Sequence, residues 1–332
     1  MSSAAPFVAS LDAIQSALPQ DKSSLLDAIS EGFVRFSAGD VTVANVSHLK
    51  FDARGSGEAG DCCIKSGYVR GAGRWVVKVA SGWPNNAALG MSTSQGAMFV
   101  FSQRTGALEA VLADSGYLTD LRTAVAALVC ARALAPEGGK VAAVVGTGVV
   151  ATLVAQMLPS ILGLGARLLV ASRSPEAAHR FVSAREAEGG WSTVEVVADA
   201  AAAAARADIL VTCTPATAPL VSALREAQVG QLVVALGADS AGKRELGPDV
   251  LRGAAVVLAD SKTQCLSFGE CSSAVADGAI QADAVIELGT YLNDGGARVA
   301  AGRSIVVDLT GVAVQDVVIA SIVLEVLQSA KA

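Results

Sequence analysis

The sequence predicts an α/β protein made of a doubly wound parallel sheet and a second domain of the α+β class with an antiparallel sheet. From Lys140 onward, continuous apolar runs alternate with helical segments, as in a parallel sheet covered on both faces. Before residue 120, short segments of alternating polarity are separated by glycine turns, which is typical of antiparallel strands. A length of 332 residues also favours two domains over one core.

The first predicted domain comprises residues 1–120 and 312–332. A helical start over residues 8–37 leads into short alternating segments, which read VTVANV, CCIKSGYV, RWVVKVAS, AMFVFSQ and LEAVLA. Their period of two predicts strands that each turn one face to a core. The apolar segment near 312–330 predicts a final helix that packs back on this domain.

The second predicted domain, residues 121–311, follows the repeating pattern of a Rossmann-type sheet. VAAVV at 141–145 is an uninterrupted apolar run, as expected for a strand buried on both faces. Further strands are predicted at 167–172, 192–197, 231–237 and 254–260, and in the segment ADILVTCTP. The intervening helices are predicted in GTGVVATLVAQML, SPEAAHRFVSAREA and residues 198–207.

Composition and charge exclude several classes of protein. The net charge of −6 argues against a nucleic-acid partner, since phosphate binding needs a concentrated positive surface. The N-terminal segment has no basic region and contains Asp12, so it does not predict a signal peptide. Asp316 and Glu325 interrupt the C-terminal apolar run, which predicts a packed helix and no membrane span.

The six cysteines show no CxxC spacing and predict reduced thiols, without zinc or disulfides, in a cytoplasmic protein. A nucleophilic cysteine is the alternative. It would normally need a nearby histidine, and the chain has only His48 and His179. No metal site is predicted.

Residues 146–151, Gly-Thr-Gly-Val-Val-Ala, fit the dinucleotide pattern G-x-G-x-x-[GA] directly after a predicted strand. Gly146 permits a tight turn, Gly148 lets a pyrophosphate approach the backbone, and Ala151 keeps helix and strand close. The free N–H groups of the helix N-terminus suit an anion. The sequence therefore predicts NAD(H) or NADP(H) as the cofactor.

The end of the next predicted strand bears on the choice between these cofactors. An Asp or Glu there would bond the ribose 2′-hydroxyl of NAD, but the stretch reads Ala171-Ser172-Arg173-Ser174. A guanidinium can pair with a 2′-phosphate and stack on adenine, which favours NADP(H). In the alternative, Arg173 only covers the adenine of NAD.

Basic residues are concentrated in the first domain, where no Asp or Glu occurs from Cys62 to Leu108. Lys78 lies in the apolar strand RWVVKVAS. Burying it unpaired would be costly, so it should face a cavity or an anion. The alternative is an edge-strand lysine that faces solvent.

Arg122 is the second candidate cation. With Thr119 as the predicted N-cap, Arg122 lies in the first turn of an apolar helix, where the helix dipole does not favour a cation. Sharing an anion with the free N–H groups would explain this position. Alternatively, Arg122 is a surface residue paired with Asp120.

The sequence resembles the ornithine cyclodeaminase/mu-crystallin family from about residue 30 to 328. The resemblance rests on several blocks together, namely VVKVASGWPNN, GYLTDLRTAVAA, VVGTGVVA, ALGADSAGKREL and VDLTGVAVQD. It implies binding of NAD(H) or NADP(H) and small α-amino or α-imino acid substrates. It also implies a homodimer formed through the sheet of the first domain, which would be the substrate-binding and dimerisation domain.

The resemblance also implies roles for individual residues. Lys78 and Arg122 would hold the substrate carboxylate, with Lys78 in the catalytic set, and Asp239 would handle the amine or imine proton as acid/base. The alternative for Asp239 is an Asx-turn before Gly242. The turn Thr310-Gly311-Val312 would lie near the nicotinamide. The predicted cofactor-binding residues are Gly146, Thr147, Gly148, Val149, Val150, Ser172, Arg173, Thr214, Gly311 and Val312.

Two departures from the family pattern concern the substrate. Many relatives carry an arginine in the early strand, where this chain reads VSHLKFD, so only His48 or Lys50 could replace it as a carboxylate ligand. Lys65 adds a cation, and alternation in CIKSGYV predicts that it lies on the same side as Lys78. A second anion-binding group favours a dicarboxylic substrate, for example iminosuccinate reduced to aspartate. It would repel the distal ammonium of ornithine, unless Lys65 is paired or turned outward.

Three functions stand as hypotheses. The first is a reductase or dehydrogenase that interconverts a small α-imino acid, or a 2-oxo acid plus ammonia, and an L-amino acid. The second is an ornithine or lysine cyclodeaminase that recycles bound NAD within each turnover. The third is a non-catalytic nucleotide-binding protein like the crystallins. Lys78, Arg122 and Asp239 argue against the third, because a pure binder needs no proton donor.

Overall fold

The computed structural model describes residues 5–19, 21–53, 59–225, 230–296 and 303–330. The chain divides into two compact units, one of Met1–Arg122 with Val312–Ala332 and the other of Thr123–Gly311. Each unit is built around its own sheet, and the fold class is α/β, as the sequence predicts.

The sheet of the first unit is mostly antiparallel. Its strands are β1 (Phe7–Ser10), β2 (Val41–Val43), β3 (Ser47–Phe51), β4 (Gly60–Val69), β5 (Arg74–Gly82), β6 (Ser94–Ser102) and β7 (Leu108–Ala113). Their order is β1-β7-β6-β5-β4-β2, with β3 also paired to β4. Only the β1–β7 pair among these described strands is parallel, so the sheet is mostly antiparallel, as predicted, with one parallel pair at its edge.

Helices cover this sheet. They are α1 (Leu11–Ala17), α2 (Ser23–Ser37) and the C-terminal α12 (Ala313–Ser329), with a 3₁₀ turn at Pro84–Leu89. The helix α12 packs on α2, β4 and β5. Gly32 in α2 allows a close approach, because a Cβ at this position would lie 3.3 Å from the Val318 side chain. This packing brings the first turn of α12 to the sheet.

The predicted helix over residues 8–37 is wrong at its start, where the structure has β1 before α1 and α2. Phe7 to Ser10 pair in parallel with Ala110 to Ala113 of β7. These partners lie far along the chain, so no local pattern reveals the strand. The Ser10 side chain then accepts a hydrogen bond of 3.4 Å from the backbone N–H of Ala13 and caps α1.

The second unit contains an eight-stranded sheet in which every pair is parallel. Its strands are β8 (Val141–Val145), β9 (Arg167–Ala171), β10 (Thr193–Val196), β11 (Ile209–Thr212), β12 (Leu232–Ala235), β13 (Val256–Ala259), β14 (Val285–Glu287) and β15 (Ile305–Asp308). Their order is β10-β9-β8-β11-β12-β15-β13-β14. This is the doubly wound, Rossmann-type sheet that the sequence predicts.

The helices that connect these strands follow the predicted alternation. They are α3 (Tyr117–Leu134), which begins in the first unit, α4 (Val149–Met157), α5 (Pro159–Leu162), α6 (Pro175–Glu188), α7 (Ala200–Arg206), α8 (Pro248–Arg252), α9 (Lys262–Ser267), α10 (Glu270–Ala276) and α11 (Leu288–Asn293), with a 3₁₀ turn at Ala282–Ala284. Within the described ranges, no helix has the length and apolar character needed to cross a membrane.

The strand order of the second unit reverses between β8 and β11, the two neighbouring central strands. In doubly wound sheets, ligands bind in the crevice outside the carboxyl ends of the strands at such a reversal. Gly146 follows β8 and Cys213 follows β11, so both lie at this crevice.

Candidate functional site

Two lysines lie side by side on the sheet of the first unit. Lys65 on β4 is directly opposite Lys78 on β5, so the two side chains share one face, as predicted. Lys65 is 4% exposed and Lys78 is 1% exposed. Because β5 lies between β4 and β6, the alternative of an edge-strand lysine in solvent is wrong. Like charges in opposite positions are destabilising, so this pair needs an anion nearby.

Asp316, in the first turn of α12, supplies an anion. Its Oδ2 lies 3.1 Å from Lys78 Nζ, and its Oδ1 accepts a hydrogen bond of 3.1 Å from Arg122 Nε. Gln315 Oε1 accepts hydrogen bonds from Arg122 Nη1 at 3.2 Å and from the backbone N–H of Val312 at 3.0 Å. Sequence analysis did not identify Asp316 or Gln315 as partners of Lys78 and Arg122. The feature that could have indicated them is a polar Gln-Asp pair at the start of an otherwise apolar helix.

We call Lys65, Lys78, Arg122 and Asp316 the cation cluster. Burial and the charge of Arg122 lower the pKa of Lys78 to about 8, although Asp316 opposes this change. Burial by itself would raise the pKa of Asp316, but the charges of Lys78, Arg122 and Lys65 hold it below its ordinary value. Three buried basic side chains therefore lie around Asp316, which is in ionic contact with two of them, and such an arrangement is able to bind a further carboxylate.

Arg122 lies in the second turn of α3, whereas the sequence predicts the first turn. The helix begins at Tyr117, and the Oδ2 atom of Asp114 accepts a hydrogen bond of 2.7 Å from the backbone N–H of Leu118. This side chain satisfies an N–H group at the helix start, so Asp114 does the capping. Thr119 is inside the helix, and its prediction as the N-cap is wrong.

The alternative of a surface arginine paired with Asp120 is also wrong. Arg122 is only 6% exposed, and its carboxylate partner is Asp316. The Asp120 carboxylate instead accepts a hydrogen bond of 3.2 Å from Ser94 Oγ. Burial raises the pKa of Asp120 to about 6, even though Ser94 and Arg122 favour the ionised form.

His48 and Lys50 lie on β3, on the same face as Lys65 but in exposed positions. His48 is opposite Cys63, and Lys50 is opposite Asp61. Lys50 is therefore displaced by four residues along β4 from Lys65, a distance of roughly 13 Å. The structure thus leaves Lys50 away from the cation cluster, and His48 lies nearer to it.

A cavity of about 600 Å³ lies at the crevice of the second unit. Of the predicted cofactor-binding residues, those that line it are Gly146, Thr147, Gly148, Ser172, Arg173 and Thr214. Val149 and Val150 form the first turn of α4. Six predicted residues, drawn from the turns after β8, β9 and β11, are thus brought to one cavity.

Two glycines shape the turn at the start of α4. Gly146 has a φ of 118°, and a Cβ there would lie 2.9 Å from the carbonyl oxygen of Cys213, so both the backbone and the space require glycine. Gly148 has an ordinary φ of −79° and is the N-cap of α4. A Cβ on Gly148 would meet no protein atom within 4 Å. This open space beside helix N–H groups fits a phosphate that approaches the backbone.

The part of the cavity near the end of β9 carries both signs of charge. Arg173 is exposed there, and Ser172 Oγ lies 3.4 Å from Thr147 Oγ1. Asp199, which sequence analysis missed, lines the same cavity and caps α7 by accepting a hydrogen bond of 2.7 Å from the backbone N–H of Ala202. It follows the neighbouring strand β10, so a search for an acid at the end of β9 does not find it.

Thr214 is held by a buried carboxylate that sequence analysis also missed. Glu245 accepts hydrogen bonds from the backbone N–H and Oγ1 of Thr214 at 2.7 and 2.8 Å. It also accepts from Thr212 Oγ1 and from the backbone N–H of Gly237, each at 2.8 Å. Burial raises the pKa of Glu245, and these donors oppose the rise. Glu245 therefore ties the ends of β11 and β12 together.

The Thr310-Gly311 turn is fixed in a similar way. Asp260, which is buried, accepts hydrogen bonds from the backbone N–H of Gly311 at 2.7 Å and from the N–H and Oγ1 of Thr310 at 3.2 and 3.1 Å. Gln264 Nε2 donates to the Gly311 carbonyl oxygen at 3.0 Å. Val312, the N-cap of α12, is buried in the first unit.

Asp239 lies in the loop after β12 and keeps 51% of its side chain exposed. Its Oδ1 lies 2.6 Å from Lys243 Nζ. The backbone N–H of Lys243 donates to the Ser240 carbonyl oxygen at 3.2 Å, which closes the turn between the two charged residues. Sequence analysis did not identify Lys243, because this pairing depends on the conformation of the loop.

All six cysteines are free. Burial raises the pKa of the thiols of Cys130, Cys213, Cys265 and Cys271, which opposes formation of a nucleophilic thiolate at these positions. Among the described residues, no group of three His, Cys, Asp or Glu side chains is arranged to hold a metal ion.

Comparison with known families gives a match over most of the chain. The model described as the ornithine cyclodeaminase/mu-crystallin family matches residues 7–331. The chain is 35% identical over 270 residues to an uncharacterized cyclodeaminase of Sinorhizobium fredii, with 79% of each protein covered. It is 31% identical to the alanine dehydrogenase of Archaeoglobus fulgidus, covering 94% of this chain and 92% of that protein. It is also 31% identical to the iminosuccinate reductase of Paracoccus denitrificans, covering 79% and 80%.

Two solved structures agree with this fold over nearly the whole chain. An archaeal alanine dehydrogenase dimer with bound NAD superposes with a TM-score of 0.86 at 27% identity, covering 98% of this chain and 97% of that one. The iminosuccinate reductase of Paracoccus denitrificans in complex with NAD⁺ gives a TM-score of 0.84 at 26% identity, with the same coverage.

Proposed function

Because the chain belongs to the ornithine cyclodeaminase/mu-crystallin family, we propose that it is an NAD(P)H-dependent reductase that converts a small α-imino acid into an L-amino acid. The reverse reaction, which gives an imino acid or a 2-oxo acid plus ammonia, uses the same groups. The observation that carries this proposal is the cation cluster of the first unit. Three buried basic side chains, two of them in ionic contact with Asp316, suit an anionic substrate.

The cation cluster binds the substrate carboxylate through Lys78 and Arg122. An ammonium has three N–H donors and a guanidinium has five, so the contacts to Asp316 and Gln315 do not exhaust their donors. Charge-assisted hydrogen bonds from both groups would fix the carboxylate and thereby orient the substrate Cα.

The second unit holds the cofactor. The open space at Gly148 and the backbone conformation at Gly146, which only glycine fits, support a pyrophosphate in the turn before α4. Glu245 fixes the position of Thr214 in the same cavity through a hydrogen bond from the Thr214 backbone N–H. When bound, the nicotinamide supplies the hydride that the substrate Cα accepts. Asp260 fixes the Gly311 turn, which is the proposed neighbour of the nicotinamide.

Asp239 is the proposed proton donor to the imine nitrogen. An imine accepts hydride readily only when it is protonated, and a carboxyl group within hydrogen-bond reach would supply that proton. The exposure of Asp239 lets it exchange protons with water after each turnover, and Lys243 offers a charged partner for the carboxylate form.

Lys65 points to the substrate class, and we propose a dicarboxylic imino acid such as iminosuccinate. Its ammonium shares the face of Lys78 and is buried, so a second carboxylate bound on that side of the sheet would meet its positive charge. The similarity to an iminosuccinate reductase over 79% of the chain supports the same substrate.

A cyclodeaminase is the second candidate function, and the 35% identity to an uncharacterized cyclodeaminase favours it. In that case the protein would form a cyclic amino acid and ammonia from ornithine or lysine without net use of the cofactor. Lys65 argues against this function, because a buried ammonium beside Lys78 would repel the distal ammonium of either substrate.

We further propose a homodimer, the state given for the archaeal alanine dehydrogenase. The strand β3 carries Leu49 and Phe51 with 50% and 44% exposure, and a second copy would cover such apolar side chains. The molar mass in solution, measured by light scattering, tests this state.

Oxidation of NADPH and NADH with a panel of imines tests the proposed function. The panel contains pyrroline-2-carboxylate, piperideine-2-carboxylate, and oxaloacetate or pyruvate with ammonia. We expect cofactor oxidation with at least one member, and fastest with oxaloacetate plus ammonia, which forms iminosuccinate. No oxidation with any member, despite tight cofactor binding, would contradict the reductase and lead to ornithine and lysine as the next substrates.

Substitution of Lys65→Met should separate the two substrate classes. Loss of a hydrogen bond from a charged group costs about 1.5–3 kcal/mol, so kcat/KM for iminosuccinate should fall roughly 10- to 100-fold. For the monocarboxylic pyrroline-2-carboxylate we expect only a small change. Lys50→Met, an exposed lysine on the same face, is the matched control. Equal losses for both imines would remove Lys65 from binding of the second carboxylate.

Substitution of Arg173→Gln tests the cofactor preference. If Arg173 pairs with a 2′-phosphate, the KM for NADPH should rise about tenfold or more while the KM for NADH stays unchanged. The exposed Arg180 on α6 provides the control substitution Arg180→Gln. An equal rise for both cofactors would mean that Arg173 only covers the adenine.

Substitution of Gly148→Val tests the pyrophosphate turn. The added Cβ meets no protein atom, so the thermal unfolding midpoint should stay close to that of the wild type. The side chain would occupy the open space beside the α4 N-terminus, and the Kd for NADH should rise at least about tenfold. Undiminished NADH binding, measured by fluorescence, would contradict this location.

A further inference from the structure

We propose that Asp316 is a positioning residue that holds Lys78 and Arg122 in place and keeps Lys78 charged for binding the substrate carboxylate. This inference rests on the proposed function, because it names what prepares the same cations for their substrate. The sequence assigns no functional role to Asp316. It is notable there only because it interrupts the apolar C-terminal helix.

The geometry joins Asp316 to both cations at once. Its Oδ2 lies 3.1 Å from Lys78 Nζ, and its Oδ1 lies 3.1 Å from Arg122 Nε. The Asp316 and Lys78 side chains are each only 2% exposed. Two basic groups from β5 and α3 are therefore fixed relative to each other by one buried carboxylate from α12. A substrate carboxylate would meet two cations whose positions are already set.

The charges around Lys78 explain why it needs this partner. Each element packed around Lys78 contributes a side chain near it. These side chains are Cys63 and Lys65 on β4, Met98 on β6, Asp114 before α3, Asp120 and Arg122 on α3, and Asp316 on α12. Lys65 and Arg122 disfavour the charged form of Lys78, and Met98 is neutral. Asp114 and Asp120 are further carboxylates that interact with Lys78; burial raises the pKa of both, to about 6 for Asp120. Asp316 is the carboxylate in direct ionic contact with Lys78.

A pH dependence follows from this arrangement. Lys78 binds a carboxylate only as an ammonium, and its pKa is about 8, so affinity should decline as pH rises through this value. Asp316 favours the ammonium form. Its removal should therefore lower the pKa of Lys78 further and move the decline to a lower pH.

The test is the pH dependence of carboxylate binding in wild type, Asp316→Asn and Glu325→Gln. Glu325→Gln is the matched control, because it also removes a carboxylate from α12. Glu325 forms its ion pair with Arg74, outside the cation cluster. The probe is pyrrole-2-carboxylate, a planar analogue of a cyclic imino acid, titrated calorimetrically with NAD⁺ present between about pH 6 and pH 10. We expect Asp316→Asn to move the alkaline decline by about one pH unit or more towards acid, and Glu325→Gln to leave it unchanged.

A second variant covers the case in which Asp316→Asn does not fold. Asp316→Glu keeps the charge but displaces the carboxylate, so the alkaline decline should stay in place while the Kd rises several-fold. An unchanged Kd for Asp316→Glu would overturn the positioning role. A decline at the same pH in Asp316→Asn and wild type would overturn the electrostatic role. If these two results are obtained while the wild type binds pyrrole-2-carboxylate, the role of Asp316 is wrong but the proposed function stands. If the wild type itself binds no carboxylate, the proposed function is wrong as well.

Discussion

Substitution of Asp239→Asn is expected to lower kcat for imine reduction by about 10²- to 10⁴-fold, the usual contribution of a general acid. Asparagine keeps the size of the side chain but has no acidic proton to give to the imine nitrogen. Asp239 is 51% exposed, so the change leaves no buried group unpaired, and the fold and the Kd for NAD(P)H should be retained. Steady-state kinetics with the preferred imine, together with NADH titration, measure both quantities.

Asp277→Asn is the matched control for this experiment. Asp277 is also an exposed carboxylate of the second unit, and it pairs with Arg244 at 2.6 Å much as Asp239 pairs with Lys243. We expect kcat close to that of the wild type for the control. Near-normal turnover of Asp239→Asn would remove Asp239 from the proton-transfer role and leave the acid unassigned.

Substitution of Lys78→Met should have the second large effect. Truncating one partner of a buried charge pair costs about 2–5 kcal/mol, so kcat/KM should fall by at least about 30-fold, mainly through binding of the substrate carboxylate. Methionine fills a similar volume, and Asp316 keeps its hydrogen bond from Arg122, so the first unit should remain folded. The ratio kcat/KM and the thermal unfolding midpoint measure the two effects.

Lys50→Met controls for the loss of a positive charge on the same face of the sheet. Lys50 is exposed and lies away from the cation cluster, and we expect its removal to change kcat/KM less than about threefold, within the range of exposed charges. A Lys78→Met variant that behaved like Lys50→Met would contradict the carboxylate site.

The second unit could be predicted from the sequence because its strands are buried on both faces. The run VAAVV predicts a strand at residues 141–145, and β8 spans Val141–Val145. A continuous apolar run bounded by a glycine turn leaves few alternatives for such a segment. The strand β1 could not be predicted in this way, because its four residues pair with a strand about one hundred residues away.

The cation cluster could be predicted only in part. Lys78 and Arg122 stand out as charges in apolar segments, and alternation correctly put Lys65 on the side of Lys78. Asp316 and Gln315 were missed, because a polar pair at a helix start shows nothing of its partners until α12 packs on the sheet. The cap at Asp114 was missed for a local reason, since it lies three residues before the helix.

The measurement that tests the central claim most directly is the amount of NAD(P)H oxidised for each molecule of amino acid formed. A reductase with a carboxylate-binding cation cluster should consume cofactor and form L-amino acid in equal amounts from its preferred imine. Formation of proline and ammonia from ornithine with no net change in NAD(P)H absorbance, while every imine leaves the cofactor unoxidised, would contradict the account in favour of a cyclodeaminase.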